Sequence, residues 1–320
     1  MSKKVLITGV TGFAGSFLAE HLLQSDKYEI LGTYLSDDSL GIIEKNKEKI
    51  KLVKIDLIDA QKVNDLISST KPDLVFHLAA LSSPADSFKT PAKTITNNIE
   101  AQINLLEGIR NSELKDSRIL IISSADIYGA VLKEELPIDE KTELRPANPY
   151  AVSKIAQDFL AFQYFLSYNL KIIRVRPFNH IGPRQSPHFV VSSFAKKIAE
   201  IEKQKQEPVL KVGNLKAKRD FTDVRDMVRA YEMIIQVGKE GDVYNIGSGV
   251  SYEISEILNK LISYSKVKIT IETDPNLLRP SDIPELLCDK SKFSNLTGWE
   301  PQIKIEDTLK ETLDYWREIV

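Results

Sequence analysis

The sequence predicts an α/β protein with a doubly wound parallel sheet of the Rossmann type and a second, smaller region. Short runs of β-branched and other apolar residues alternate with amphipathic stretches whose apolar residues recur three and four positions apart. This alternation is typical of βαβ units. The run Ile119–Ile122 is apolar throughout, which suits a strand covered on both faces of the sheet.

Seven segments are predicted as strands of this sheet. In chain order they are Val5–Thr8, Glu29–Thr33, Leu52–Ile55, Leu74–His77, Arg118–Ser123, Ile172–Arg176 and Val243–Ile246. Helices are predicted between them, for example where Leu18 and Leu22 share one face.

Prolines and charged residues interrupt the strict alternation after about residue 177. We therefore predict a dinucleotide-binding domain formed by residues 1–177 with about 222–249. A nucleotide-sugar-binding region would then comprise residues 178–221 with about 250–320. The two units interleave because Val243–Ile246 is predicted to return to the main sheet.

Composition excludes several classes of protein. The net charge of -2 gives no concentrated basic surface for a nucleic acid, and no segment approaches the roughly 20 apolar residues of a membrane span. Cys288 is the only cysteine, which predicts a reducing, cytoplasmic location and no intrachain disulfide. The four histidines show no metal-ligand spacing, so no metal is expected.

A glycine-rich turn follows the first predicted strand and precedes a helix. Gly9, Gly12 and Gly15 allow a tight turn and a close approach of the backbone to a pyrophosphate, and the helix N-terminus offers free N–H groups. Position and pattern together predict a site for NAD(P)(H).

The choice between NAD and NADP stays open in the sequence. The second predicted strand is followed by no arginine, and its acids, Asp37 and Asp38, come late for the ribose contact that favours NAD. Asp56, after the third strand, is expected to accept from the adenine amino group, with helix capping as the competing role.

The chemistry of their side chains points to three residues of the candidate catalytic group. Tyr150 and Lys154 lie four apart in a helix predicted after Pro149, so they share one face. An ammonium beside a phenol stabilises the phenolate, and we expect Lys154 to lower the pKa of Tyr150 in this way. Ser124 lies at the carboxyl end of the fifth predicted strand, where a hydroxyl could polarise a carbonyl.

Together these motifs resemble the extended short-chain dehydrogenase/reductase family. The resemblance rests on TGVTGFAG at Thr8–Gly15, HLAA at His77–Ala80, SSADIYG at Ser123–Gly129 and YAVSK at Tyr150–Lys154. It implies an N-terminal NAD(P) domain, a C-terminal region for a nucleoside-diphosphate sugar, and a homodimer. Further cofactor contacts that it implies are Phe13, Ala14, Leu57, Leu78, Ala79 and Ala80.

The segments Arg176–Arg184 and Val212–Asp220 look like the GDP-mannose-handling branch of this family. By that resemblance Asn179 contacts the sugar diphosphate, and Arg219 and Arg279 bind its phosphates. Guanidinium groups suit phosphate because they donate two hydrogen bonds in parallel. Arg184 and Asp282 are additional candidates for substrate binding.

Reductase, 4,6-dehydratase and 4-epimerase chemistry all remain open, because all three use the same tyrosine. Dehydratases of this family carry an acidic or hydroxyl residue and then a glutamate after the serine or threonine, where this chain has Ala125 and Asp126. That difference favours NAD(P)H-dependent reduction of a GDP-linked sugar, GDP-4-keto-6-deoxy-D-mannose, to GDP-D-rhamnose, with Asp126 in the catalytic group. A non-enzymatic dinucleotide sensor is the remaining alternative.

Overall fold

Seven parallel strands form the central sheet of the structure, a computed structural model that describes residues 2–278 and 283–320. The strands are β1 (Lys3–Thr8), β2 (Tyr28–Tyr34), β3 (Lys51–Lys54), β4 (Leu74–His77), β5 (Arg118–Ile122), β6 (Lys171–Pro177) and β10 (Val243–Ile246). Their order across the sheet is β10-β6-β5-β4-β1-β2-β3. The predicted doubly wound α/β fold is confirmed, and each strand overlaps a predicted segment.

Helices cover both faces of the sheet, as the apolar strands require. On one face the core contains Leu18 of α1 (Phe13–Leu22) and Ile234 of α7 (Val224–Val237). On the other face it contains Ile67 of α2 (Ala60–Thr70), Leu105 of α4 (Pro91–Asn111) and Ala161 of α5 (Pro149–Tyr168). All five side chains are at most 1% exposed, and their burial anchors the helices that carry the site residues.

A second hydrophobic core lies outside the central sheet. It is built around Phe194, Leu258 and Leu313, which belong to three different helices. These helices are α6 (Val190–Glu202), α8 (Ile254–Ser263) and α10 (Ile305–Ile319). Separate cores agree with a second, smaller region, while the exact domain boundaries stay a prediction.

Short strands complete this second region. β9 (Lys218–Asp223) pairs with β7 (Asn179–Ile181), β11 (Ser251–Glu253) and β13 (Glu285–Leu286), while β8 (Val209–Val212) pairs with β12 (Thr270–Thr273). The remaining helices are α3 (Pro84–Ser87) and α9 (Ser291–Thr297), with 3₁₀ segments at Asp37–Lys49, Ala125–Ile127, Lys133–Glu135 and Pro275–Leu277. Within residues 2–278 and 283–320, none of the helices combines the length and apolar character needed to cross a membrane.

Candidate active site

A cavity of about 530 Å³ opens at the carboxyl ends of the central strands. It is lined by Gly9 after β1, Leu78 after β4, Ser123 after β5 and Phe178 after β6. Strand order reverses between β1 and β4, and doubly wound sheets bind ligands at such a switch point. From there the cavity continues to α6 and the β8–β9 connection.

The glycine-rich turn forms the floor of the cavity at the start of α1. Gly9 has φ +71°, and a Cβ on Gly15 would lie 2.2 Å from the Gly9 carbonyl oxygen, so a side chain at Gly15 would force the turn apart. Gly12 is the N-cap of α1 and supplies no capping side chain, which leaves N–H groups of the first turn for an anion. These residues, with Phe13 and Ala14 beside them, fit the pyrophosphate of a dinucleotide.

The Thr8 hydroxyl fixes the neighbouring loop after β4. It accepts hydrogen bonds from the N–H groups of Leu78 (3.1 Å) and Ala79 (3.2 Å) and lies 2.9 Å from Nδ1 of the buried His77. Leu78, Ala79 and Ala80 line the cavity beside the glycine turn, where a Cβ on Gly9 would lie 3.1 Å from the Ala79 Cα. The sequence argument gave no role to Thr8 beyond its place in the motif.

The residues expected at the adenosine end are placed outside the cavity lining. The exposed Asp56 accepts from the N–H of Ile58 at 3.2 Å, and Leu57 is buried. Helix α2 is capped by Asp59, so the competing capping role for Asp56 is wrong. Asp37 forms an ion pair with Lys54.

Asp38, which follows the end of β2, also has a hydrogen-bond partner within the protein. Its Oδ2 accepts a hydrogen bond from the Ser36 hydroxyl at 3.1 Å. Both acids that could contact an adenosine ribose therefore have partners within the protein.

Helix α5 carries the candidate catalytic pair into the cavity. The Asn148 side chain caps the helix by accepting from the N–H of Ala151 at 2.8 Å, and Pro149 occupies the first turn. Tyr150 and Lys154 are both buried and line the cavity. Lys154 Nζ donates to the Ile122 carbonyl oxygen at 2.8 Å, which ties the helix to the end of β5.

Burial governs the electrostatics of this pair. It raises the pKa of the Tyr150 phenol, the Asp126 carboxylate raises it further, and a hydrogen bond with Ser124 acts in the opposite direction. Burial also lowers the pKa of the Lys154 ammonium to about 7. We expected a lowered Tyr150 pKa, and the structure gives the opposite direction because desolvation of the phenol dominates.

Ser124 and Asp126 lie together at the end of β5. Ser124 is the N-cap of the 3₁₀ segment Ala125–Ile127, and its hydroxyl accepts from the Asp126 N–H at 3.2 Å. Ser124, Asp126, Tyr150 and Lys154 thus line one wall of the cavity. A protonated phenol, a hydroxyl and an ammonium beside a dinucleotide turn can protonate and stabilise a developing alkoxide.

The structure places some of the expected substrate-binding residues in the cavity lining and others outside it. Asn179 and Arg219 line the cavity, and Arg219 donates to the Ile283 carbonyl oxygen at 2.8 Å. Arg184 does not line it: its guanidinium binds Glu20 at 2.7 Å and lies 3.7 Å from the centre of the Phe17 ring. This ion pair holds the loop before α6 against α1. Arg279 and Asp282 lie outside the described residues.

Several residues that line the cavity were not predicted from the sequence. The ring of His180 stacks on Phe13 with centroids 5.8 Å apart, and burial lowers the pKa of His180. Gln185, His188 and Lys197 also reach the cavity wall. Proximity to the Arg176–Arg184 motif could have pointed to His180, whereas nothing local marks Lys197. In residues 2–278 and 283–320 no cluster of acids, histidines or cysteines could hold a metal ion.

Comparison with known proteins identifies the family. The model of the GDP-mannose 4,6-dehydratase family matches residues 6–312. The chain belongs to this family. GDP-6-deoxy-D-mannose reductase of Pseudomonas aeruginosa is 32% identical over 99% of this chain and 98% of its own length. GDP-mannose 4,6-dehydratase of Vibrio cholerae is 30% identical over 97% of this chain and 93% of its own.

Solved structures of related enzymes match the whole fold of this chain. RMD from Pseudomonas aeruginosa complexed with NADPH is 31% identical, has a TM-score of 0.86 and matches all of both chains. UDP-glucose 4-epimerase of Thermotoga maritima with UDP-glucose is 26% identical, has a TM-score of 0.85 and matches 99% of both chains. The resemblance to extended short-chain dehydrogenase/reductases is therefore confirmed, as is the class of nicotinamide-dinucleotide oxidoreductases.

Proposed function

We propose that this protein uses NAD(P)H to reduce the 4-keto group of GDP-4-keto-6-deoxy-D-mannose, which gives GDP-D-rhamnose. The observation that carries the proposal is the wall formed by Ser124, Asp126, Tyr150 and Lys154 beside the glycine turn. Support for the substrate comes from the names of the relatives that match the whole chain.

The bound, reduced nicotinamide would supply a hydride to C4 of the sugar. Tyr150 gives its proton to the oxygen of that carbonyl, which becomes the hydroxyl of the product. The phenol is protonated at neutral pH and can donate this proton, while burial and the Asp126 carboxylate raise its pKa. Ser124 donates a hydrogen bond to the same oxygen, and Lys154, whose Nζ lies 5.9 Å from the centre of the Tyr150 ring, supplies positive charge in its protonated form.

Asn179 and Arg219 are proposed to hold the diphosphate, since both line the cavity beyond the catalytic wall. Arg279 and Asp282 stay in the proposed substrate site on the resemblance alone. Arg184 is proposed to act as a support of the loop before α6, because Glu20 already neutralises its charge.

The dehydratase alternative has support in the family name and in the relatives from Vibrio cholerae. Elimination needs a carboxylate or comparable base beside the serine to move protons between carbons. Ala125 supplies none and is 3% exposed, and Asp126 has a shorter side chain than glutamate. The reductase is favoured for this reason.

The test uses the purified chain with NADH or NADPH and a panel of GDP- and UDP-linked 4-keto sugars. A reductase consumes reduced cofactor in a one-to-one ratio with GDP-4-keto-6-deoxy-D-mannose. A dehydratase would convert GDP-mannose without added reductant, and an epimerase would recycle its cofactor with no net absorbance change. Cofactor binding with no turnover of any sugar would indicate the sensor.

A cytoplasmic homodimer is the proposed state of the protein. Val152, Phe159 and Leu166 recur every seven residues along α5, and they are 43%, 53% and 61% exposed. A stripe of this kind suits a second copy of the same helix, because isolated large apolar patches are costly on a monomer. The single cysteine of the sequence, which can form no intrachain disulfide, supports the proposed cytoplasmic location.

A further inference from the structure

One face of helix α1 contacts the second region of the protein. Phe13, Phe17 and Glu20 lie four and three positions apart on this helix, so they share that face. The ring of Phe13 stacks on His180 of β7 with centroids 5.8 Å apart. The ring of Phe17 and the carboxylate of Glu20 both contact Arg184, which follows β7 in the chain. The helix that starts at the dinucleotide turn is therefore in direct contact with β7 and the loop after it.

Arg184 is held by several groups at once. Its guanidinium donates two hydrogen bonds to Glu20, at 2.8 Å and 2.7 Å, and one to the Ile42 carbonyl oxygen at 3.3 Å. It also lies 3.7 Å from the centre of the Phe17 ring, which is within the range of a cation–π contact. The Arg184 side chain is 16% exposed, so this pair is better shielded from solvent than an ordinary surface ion pair.

The backbone of Arg184 has a conformation that depends on these contacts. Its φ is +71°, in the left-handed region that costs free energy for any residue with a branched or long side chain. A residue persists in such a conformation where its surroundings hold it, and such positions are common in segments that switch. The path of the loop after β7 therefore depends on the contact between Arg184 and α1.

The two ends of this contact lie at different ligand sites. Phe13 lies beside the glycine turn, where N–H groups of α1 are left for the dinucleotide. At the other end, Asn179 precedes His180 on β7 and lines the cavity at the proposed diphosphate site. Glu20 and Arg184 lie outside the cavity lining, so their ion pair connects the two sites without belonging to either.

We propose that Arg184 is a positioning residue that makes binding of the dinucleotide and binding of the nucleotide sugar cooperative. The proposal rests on the proposed function, which supplies the second ligand. A bound dinucleotide fixes the first turn of α1, and the ion pair of Arg184 with Glu20 extends that order to the loop and to β7. The second ligand then enters a site that is already ordered, so its binding costs less conformational entropy. By thermodynamic linkage the nucleotide sugar tightens dinucleotide binding by the same factor.

The experiment is calorimetric titration of the full chain with GDP, without NADPH and with NADPH at saturation. For the wild type we expect NADPH to tighten GDP binding by about 5- to 150-fold, the usual size of coupling between two sites. Arg184→Gly should reduce this factor to less than about twofold. Glycine adopts the left-handed backbone freely, so this variant keeps the turn and loses only the guanidinium contacts. The reverse titration, with NADPH in the absence and presence of GDP, should give the same factors.

Two further variants separate coupling from stability. Glu20→Gln removes the charge on α1 and should also lower the coupling factor, and adding it to Arg184→Gly should cause no further loss. Arg317→Met is the matched control, because Arg317 forms a similar ion pair with Glu202, with two hydrogen bonds of 2.7 Å, inside the second region. It should lower the free energy of unfolding and leave the coupling factor at its wild-type value.

Three results would overturn the proposal. They are a wild-type GDP affinity that NADPH leaves unchanged or weakens, a wild-type coupling factor in Arg184→Gly, and an equal loss of coupling in Arg317→Met. Failure of the proposed function has a different signature, since the wild-type chain would then bind UDP in place of GDP. The same series of titrations with UDP would in that case decide the role of Arg184.

Discussion

Asp126 lies close enough to Tyr150 for its carboxylate charge to raise the pKa of the Tyr150 phenol. Both residues line the same wall of the cavity, one after β5 and the other at the start of α5. A carboxylate in this position favours the protonated phenol, which is the form that a proton donor needs. In the proposed reductase Asp126 therefore acts on Tyr150, and no carboxylate is needed to move a carbon-bound proton.

Asp126→Asn distinguishes an effect of Asp126 on the pKa of Tyr150 from a direct role of its carboxylate as catalytic base. We expect the variant to keep its reductase turnover within about tenfold at neutral pH, because the neighbouring charge changes the pKa of Tyr150 without removing the phenol. The high-pH limb of turnover should move to lower pH, since loss of the negative charge lowers that pKa. The measurement is turnover across a pH series, with Asp126→Glu as the charge-preserving control. A loss of three orders of magnitude at neutral pH would instead make the carboxylate itself the catalytic base.

Tyr150→Phe tests the proton donor. The substitution removes only the hydroxyl, and we expect turnover to fall by at least about two orders of magnitude, the usual scale of general acid catalysis. Cofactor affinity should change little, because the ring and Lys154 remain. Steady-state rates and calorimetric titration with the dinucleotide measure the two effects separately. Near-normal turnover would assign the proton to another group.

Gly12→Val tests the dinucleotide turn. The backbone of Gly12 has φ -78°, which any residue can adopt, and a Cβ there would lie 3.1 Å from the Gly9 carbonyl oxygen. We therefore expect a folded protein whose branched side chain blocks the approach of the pyrophosphate and abolishes dinucleotide binding. Circular dichroism checks the fold and calorimetry checks the binding. Wild-type affinity would remove this turn from the cofactor site.

The central fold was readable from the sequence for a simple physical reason. Runs such as Ile119–Ile122 are apolar throughout because helices cover both faces of the sheet, and that pattern is local. Strand β7, in contrast, is three residues long, and its pairing with β9 depends on residues about forty positions away. The sequence contains no local signal for that pairing.

The site was readable only in part because side-chain partners are set by tertiary packing. Arg184 was a reasonable phosphate ligand by motif, yet its partner is Glu20, 164 residues earlier in the chain. The pKa of Tyr150 depends on burial by elements that come from several parts of the chain. Lys197 has no motif of its own and becomes visible only when α6 is placed against the cavity.

Phe159→Glu tests the proposed homodimer. Phe159 is the middle residue of the α5 stripe and is 53% exposed, so the substitution should cost the folded chain little stability. Two glutamates brought together in a symmetric interface would repel each other, and we expect a monomer. Analytical ultracentrifugation of the wild type and the variant measures the masses. Asn295→Asp, at an exposed position of α9, is the control for added charge away from the stripe, and a wild-type monomer would contradict the proposal directly.

Lys154 makes the stability of the protein depend on pH in a defined direction. Burial lowers its pKa from 10.5 to about 7 in the folded chain. Below pH 7 the ammonium is charged in both the folded and the unfolded state, so this residue adds no slope. Between pH 7 and 10.5 the unfolded chain binds more protons than the folded one, so the free energy of unfolding rises with pH.

Comparison of the wild type with Lys154→Met isolates this contribution. From pH 7 to pH 9 the lysine should add about 2 to 3 kcal/mol to the wild-type free energy of unfolding, since each pH unit contributes about 1.4 kcal/mol per proton. The methionine variant lacks the ammonium and should lose that increment, whatever its stability at pH 7. Urea unfolding at a series of pH values gives both curves, and Lys133→Met, at an exposed position, should follow the wild type. If the difference in stability between the wild type and Lys154→Met stays constant from pH 7 to pH 9, the ammonium keeps its proton throughout and its pKa is not lowered to about 7.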